Sequence, residues 1–355
     1  IVSVDMLKDP SSTAIYGARG ANGVIIITTK RGVKGKMQIN YNGYVGTQSA
    51  THLVKMANAK QYADYVSDAT YGVTTVPVTG YSTDWFSKIL RNAIQQNHSV
   101  SVSGASDKTN YLLSVGYADN QGIVIGNDFK RYTIRSNNEF QLANHLKLGI
   151  DASYSNNNNQ NVNLGTAYND AYKAAPIIAG RVNGKYGNTS LYQNVGNPIL
   201  DINNVNSRTL NNRLQGSAFL EYKPLSWLTL KSSLGADWNN LTNRNYNYQF
   251  FADTATFLTA GGNQSNPTSS LSMISVNALH WVWDNTATLN KRFGDHNLTL
   301  LIGTTAEKIT STSLEATAHG VPSDPDLWYI HNADNSLPFS NDGQGTIQTR
   351  NSYIA

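Results

Sequence analysis

From Lys36 onward the chain repeats one pattern: roughly ten residues of alternating apolar and polar side chains, a connection, then the pattern again. "LKLGIDASY" states it most cleanly. Leu146, Leu148, Ile150, Ala152 and Tyr154 fall on one face and Lys147, Gly149, Asp151 and Ser153 on the other. "KMQINYNGYVG" places Met37, Ile39, Tyr41 and Val45 together, and "YLLSVGY" does the same for Tyr111, Leu113, Val115 and Tyr117. "HSVSVSG", "RYTIRSNNEF", "LQGSAFLEY", "LTLKSSLGADW", "LHWVWDNTATL" and "LTLLIGTTA" complete nine such strands, with a tenth beginning at Ser352. A period of two is the signature of a strand whose two faces meet different surroundings.

Alternation alone fits a soluble antiparallel sandwich as well as a membrane barrel. The connections separate the two. Ser106–Thr109, Ala143–His145, Lys223–Ser226 and Phe293–His296 are tight turns. Between them lie longer polar segments at about 49–96, 119–129, 157–207, 250–274 and 313–349. Every second connection is short, as in a transmembrane barrel with short turns at one end and extended loops at the other. A sandwich has no reason to segregate its loops this way. The expected fold is therefore an all-β antiparallel membrane barrel. Unpaired strand edges cannot survive in hydrocarbon, so nine or ten strands imply further strands elsewhere in the protein.

Composition agrees. Charged residues are only 14% of the 355, against roughly 25% in ordinary soluble domains, and the deficit is filled by neutral polar residues. Tyr (20) and Trp (6) are plentiful, and mean hydropathy is −0.38. No apolar run approaches the ~20 residues of a membrane helix. With no cysteine, disulfide frameworks and thiolate metal sites are excluded. The net charge of +4 is dispersed, which offers nothing to nucleic acid. No signal peptide is visible, and "TRNSYIA" reads as a strand cut as it begins; an internal piece of a longer protein is expected.

The long loops carry some texture. "NAKQYADYVSDA" suits a short helix at 58–69, and "TDWFSKILRNA" (83–93) opens on an N-cap at Thr83 or Asp84. "SNNNNQNVN" (155–163) reads as an exposed Asn-rich loop.

Ahead of the strands stands "AIYGARGANGVIIITTKRG" (14–32), with glycines at 17, 20 and 23. A dinucleotide loop needs a helix after its glycines, so that the phosphates meet the helix N-terminus. Here the β-branched "VIIITTK" follows at once, and no P-loop Gly-Lys-Ser/Thr is present. The structural reading is a strand at "VSVDMLKDP", a close-packed turn, and a second, buried strand.

At these residues the chain resembles a known family. "VDMLKDPSSTAIYGARGANGVIIITTKRG" is similar to the end of the plug domain of TonB-dependent outer-membrane transporters, in the version found in the SusC/RagA type of Bacteroidetes. The likeness continues through "TDWFSKILRNAIQQNHSVSVSGASDKTNYLLSVGYADNQGI" and "FKRYTIRSNNEFQLANHLKLG".

The resemblance implies a barrel of about 22 strands when complete, closed by an N-terminal α+β plug. Residues 1–35 would be the C-terminal part of that plug, with Tyr16, Gly17, Arg19, Gly20, Asn22 and Gly23 as its motif. Residues 36–355 would be the first part of the barrel, with long extracellular loops. It further implies active import of an oligomeric nutrient, a glycan or a peptide, across the bacterial outer membrane. Partners would be outer-membrane lipid, a SusD-like lipoprotein lid, and TonB-ExbB-ExbD acting through a region upstream of Ile1.

In such a barrel Tyr41, Tyr132, Tyr154, Tyr222 and Trp238 are expected as interfacial girdle residues. Arg131, Arg135, Glu139, Lys147, Asp151, Lys231 and Asp237 would face the lumen and contact the plug. Trp85, Tyr168, Tyr172, Trp328 and Tyr329 are the loop aromatics able to stack on sugar rings or peptide side chains, though for any one of them loop packing or docking to the lid is the more ordinary role. No cofactor is expected; Asp324 and Asp326 could contribute to a structural Ca²⁺ site. No HExxH, nucleophile elbow or carboxylate pair is present, so the chain reads as a non-enzyme. The alternatives are a β-rich surface carbohydrate-binding or adhesin module without transport, and a passive porin. The first leaves the loop-length alternation unexplained; the plug-like opening argues against both.

Overall fold

The computed structural model describes residues 2–9, 20, 22–28, 31–76 and 80–354. Two sheets dominate it. The first is a ribbon of β1 (Ser3–Leu7) and β2 (Val24–Thr28), antiparallel, with Ser3 opposite Thr28 and Leu7 opposite Val24. Gly23, which enters β2, has φ of 92°, and a Cβ there would sit 3.1 Å from the Leu7 carbonyl oxygen. A non-glycine residue would be strained in both respects. Its N–H donates to Gly20 at 2.9 Å, closing the turn around Asn22. Tyr16, Gly17 and Arg19 lie outside the described residues. The sequence suggests that β2 is buried, yet Ile25 and Ile27 are 60% and 56% exposed. A ribbon of two strands has no second layer to cover its faces.

The second sheet has ten strands. In chain order they are β3 (Gln38–Gln48), β4 (Ala93–Ala105), β5 (Thr109–Gln121), β6 (Asp128–Ala143), β7 (Leu146–Asn161), β10 (Val205–Leu225), β11 (Leu228–Asn247), β12 (Ser270–Phe293), β13 (His296–His319) and β14 (Phe339–Ile354). Each pairs antiparallel with the next, and β3 and β14 form the two edges. A small hairpin, β8 (Arg181–Val182) with β9 (Lys185–Tyr186), stands apart in the connection between β7 and β10.

Tight turns at 106–108, 144–145, 226–227 and 294–295 close one end of the sheet, as the sequence suggests. Longer connections at 49–92, 122–127, 162–204, 248–269 and 320–338 crown the other. All five are shorter than the sequence pattern indicates, because the strands run on past the end of their alternation. "SNNNNQN" belongs to β7, and β14 starts at Phe339 instead of Ser352. Strand lengths reach 24 residues in β12 and β13, where ~10 would cross a bilayer. Beyond the bilayer both faces of a strand meet water, so polar residues suit either side and the period of two fades.

Register assigns the faces. One row of paired residues runs Tyr41, Val100, Val115, Ile134, Tyr154, Leu214, Trp238, Leu279, Thr310 and Ile347, from one edge to the other. It crosses β4 close to the turn end and β13 far from it. That climb is the stagger of a sheet whose strands tilt as in a barrel wall. The face is apolar and largely exposed: Val115 (51%), Ile134 (50%), Leu234 (52%) and Ile302 (49%) stand bare. On β11 the positions of this face from Leu228 to Trp238 are Leu228, Leu230, Leu234, Ala236 and Trp238 with a single polar residue, Ser232, among them, over the length of a membrane strand.

The external connections fold into local cores. Helix α1 (Ala59–Ala69) opens with a capping box: Gln61 N–H donates to Asn58 Oδ1, and Asn58 N–H to Gln61 Oε1. Helix α2 (Trp85–Ile89) is capped by Asp84. It packs against α3 (Leu164–Lys173) and α5 (Pro198–Asn203); α4 (Ser190–Gln193) lies between these two in sequence. Trp85, Phe86 and Ile89 are 3%, 3% and 0% exposed at the centre of this hub, each contributing about 1.5–3 kcal/mol of burial.

Candidate functional site

Residues opposite the apolar face form a polar inner wall. Arg131, Arg135, Glu139, Lys147, Asp151, Lys231 and Asp237 all lie on it, as their alternation with the apolar row requires. Arg31, in the segment between the ribbon and β3, reaches this wall: its guanidinium lies 2.8 Å from Glu139 and 3.6 Å from Asp151. Gly32 and Asn110 exchange two hydrogen bonds of 2.8 Å, and Lys34 pairs with Asp107 at 2.5 Å. The segment leaving the ribbon is thus fastened to the inner face near the turn end.

Several other wall charges find partners within the wall. Lys147 Nζ is 2.9 Å from Glu139, and Arg213 grips Asp237 with both arms of its fork. His280 Nε2 and Glu307 Oε1 are 2.8 Å apart, with Arg350 on the other Glu307 oxygen at 3.5 Å. Lys231 sits 4.5 Å over the Phe219 ring. That ring covers Gly149 so closely that a Cβ there would come within 2.0 Å of it. Cross-strand partners depend on register, which alternation does not reveal, so the sequence shows the charges but not their pairing.

The five girdle candidates lie on the apolar face. Tyr222 is near the turn end, while Tyr154 and Trp238 mark the upper limit of the belt; Tyr154 Oη donates to Asn212 at 2.8 Å. Trp281 and Trp283 belong to the same face, and Trp283 Nε1 donates to Ser232 at 3.0 Å. They sit in a recognised strand, and their odd numbering in "LHWVWD" is the signal that groups them with Leu279.

The loop aromatics divide into two groups. Trp85 is in the hub core, its Nε1 donating to the Ala175 carbonyl at 3.2 Å. Trp328 is 2% exposed, stacked on Tyr246 at 4.4 Å, with its Nε1 on the Pro322 carbonyl. Both build loop interiors. Tyr168 and Tyr172 remain at the surface, edge-on to Phe86, with their hydroxyls 3.0 Å apart. Tyr329 is 62% exposed.

Two asparagines knit the external loops. Asn197 donates to the carbonyls of Gly180 and Gly187 and accepts from the N–H groups of Ile199 and Leu200, which uses its full capacity. Asn188 donates to the carbonyls of Thr259 and Gly261, joining the β7–β10 connection to the β11–β12 connection. Beside Asn197, Asp201 is 5% exposed and faces Asp170. Burial, with the Asp170 charge adding to it, pushes the Asp201 carboxyl up to about 8.

Asp324 and Asp326 are exposed, and the Asp324 carboxylate caps a 3₁₀ turn by accepting from the Asp326 N–H at 3.0 Å. Among the described residues no three His, Asp or Glu side chains gather as metal ligands, and no helix is long and apolar enough to cross a membrane.

No protein-family model matches the chain. Among curated proteins it is 30% identical over 356 residues to a TonB-dependent receptor of Formosa agariphila, covering 96% of this chain and 34% of that protein. It is 28% identical over 305 residues to the TonB-dependent receptor SusC of Bacteroides thetaiotaomicron, covering 84% and 30% respectively. Among solved structures, the RagAB peptide importer in its open-open state superposes with a TM-score of 0.79 at 21% identity, over 99% of this chain and 43% of that one. Its closed-closed state gives 0.76. The chain spans about a third of the length of these curated relatives, and the structural likeness speaks to fold.

Proposed function

The chain belongs to the SusC/RagA-type TonB-dependent receptors, and on that premise we propose that the whole protein actively imports an oligomeric nutrient across the outer membrane. One observation carries the reading: an exposed apolar face lies opposite a charged face that holds the segment leaving the ribbon. The first suits lipid. The second is a wetted lumen wall gripping a plug, with residues 1–35 as the end of that plug and residues 36–355 as barrel wall and loops.

In this reading TonB-ExbB-ExbD draws on the plug from the periplasm. Exchangeable ion pairs such as Arg31 with Glu139 let plug contacts break and re-form, since partly exposed pairs contribute only about 1 kcal/mol or less each. A SusD-like lipoprotein covers the external mouth. Of the five loop aromatics singled out in the sequence, Tyr168, Tyr172 and Tyr329 remain exposed for cargo, a peptide or a glycan; both are carried by stacking on such rings.

A surface adhesin would have no use for a continuous exposed apolar belt. The test is deletion of the gene followed by growth on defined glycans or peptides as sole nutrient. Loss of growth on one class, restored by the intact gene but not by one lacking its TonB-interacting region, supports import. Unchanged growth on every oligomeric nutrient overturns it.

A further inference from the structure

On the outer face, beyond the apolar belt, Arg208 of β10 and Arg244 of β11 stand directly opposite one another. Both are even-numbered on strands whose even positions, Leu214 and Trp238 among them, face outward. Like charges at directly opposed positions repel, so such a pair is destabilising unless something neutralises it. Among the described residues neither arginine makes an ion pair. Both are instead held in place: Arg208 Nε donates to Asn158 at 2.9 Å, and the Arg244 guanidinium lies 5.1 Å over the Trp328 ring.

They line a groove of about 410 Å³ with Lys130 and Asp128 of β6 and Gln160 of β7. The acid in the groove is already occupied, since Asp128 is paired with Arg91. Lys130 lies 3.7 Å from Asp119, and the two arginines are left as the unbalanced charge.

Position identifies the anion. Arg208 and Arg244 lie six residues beyond Leu214 and Trp238, the row that ends the apolar belt, and a strand rises about 3.3 Å per residue. The groove therefore sits roughly 15–20 Å above the hydrocarbon, beyond the headgroup layer of a phospholipid and at the height of the sugars of a glycolipid, on the outward face between the strands and Pro325 and Trp328 of the 320–338 connection. A cargo molecule or a lid over the mouth would approach from the lumen side or from above.

We propose that Arg208 and Arg244 form a binding site for the phosphate of an outer-leaflet glycolipid. Two guanidinium forks on one phosphate give charge-assisted, bidentate hydrogen bonds, and the bound anion removes their mutual repulsion. Asn158, Gln160 and Lys130 supply polar contacts for the sugar beside it. The site rests on the barrel reading for its outward direction, and it gives the receptor a fixed lipid neighbour that import alone does not require.

The test uses the full-length receptor extracted from outer membranes, wild type beside an Arg208→Gln/Arg244→Gln variant. Heat-modifiable migration confirms that each is folded. Lipid is extracted, and phosphorylated glycolipid and phospholipid per receptor are quantified by mass spectrometry. The variant is expected to lose glycolipid roughly tenfold while phospholipid is unchanged, and millimolar inorganic phosphate leaves the wild-type glycolipid in place. Equal glycolipid in both proteins overturns the site. Complete displacement by inorganic phosphate assigns it to a free anion, and loss of a co-purifying protein with glycolipid unchanged assigns it to a protein; either overturns the proposal. Absence of every lipid class from the wild type would instead contradict the membrane reading itself.

Discussion

Arg31 Nη1 stands 2.8 Å from Glu139 Oε1, so the segment leaving the ribbon is tied by charge to the inner face of the barrel wall. Arg31→Glu places two acids together beside Asp151 and should loosen this tie. The expected result is higher sensitivity of cells to a large antibiotic that the closed receptor excludes. Exchanging the charges, Arg31→Glu with Glu139→Arg, should recover part of the loss. A double variant as leaky as the single one would show that the pair does not act as a unit.

Trp328 and Tyr329 are neighbours with opposite roles. Trp328→Ala removes a buried ring stacked on Tyr246, a change that typically costs about 3–5 kcal/mol. Limited proteolysis should then cut within 320–338 while the strands stay intact. Tyr329→Ala, at an exposed position, should leave proteolysis unchanged and act only on cargo affinity. If both variants are cleaved alike, the division between packing and surface aromatics fails.

How far these roles can be read from sequence depends on what writes the pattern. Leu146 to Tyr154 are legible because lipid on one side and water on the other impose a period of two. Asn156 to Asn161 continue the same strand in water on both sides, so nothing periodic marks them. Trp85 and Trp328 look like ligand platforms in sequence because an aromatic residue in a polar loop serves packing and binding equally well. Only the neighbours Ala175 and Tyr246, distant in the chain, separate the two uses. Arg208 and Arg244 are unremarkable singly, and register alone makes them a pair.

Asp201 makes the external hub sensitive to pH. Folded, its carboxyl holds a proton up to about pH 8; unfolded, it releases it near 4. The folded hub therefore binds the extra proton between those values. Its stability should fall as pH rises through that window, by up to about 1.4 kcal/mol per pH unit, and level off above it. Hydrogen-exchange protection of α3 and α5, corrected for intrinsic rates, should drop from pH 5 to pH 8. Asp201→Asn should flatten the profile. A wild-type profile already flat would refute the buried neutral carboxyl.

The central claim is that β11 crosses the membrane with even positions toward lipid and odd positions toward a wet interior. An arginine at Leu234 should cost about 2–4 kcal/mol and lower assembly, while one at Ser233 should be tolerated. The stretch contains no cysteine, so spin labels can be placed singly along it, from 230 to 238, in the full-length receptor. Accessibility to membrane-dissolved oxygen should peak at 230, 232, 234, 236 and 238, and accessibility to a water-soluble nickel chelate at 231, 233, 235 and 237. Two profiles rising and falling in phase, or uniform exposure to the chelate, would contradict the barrel wall described here.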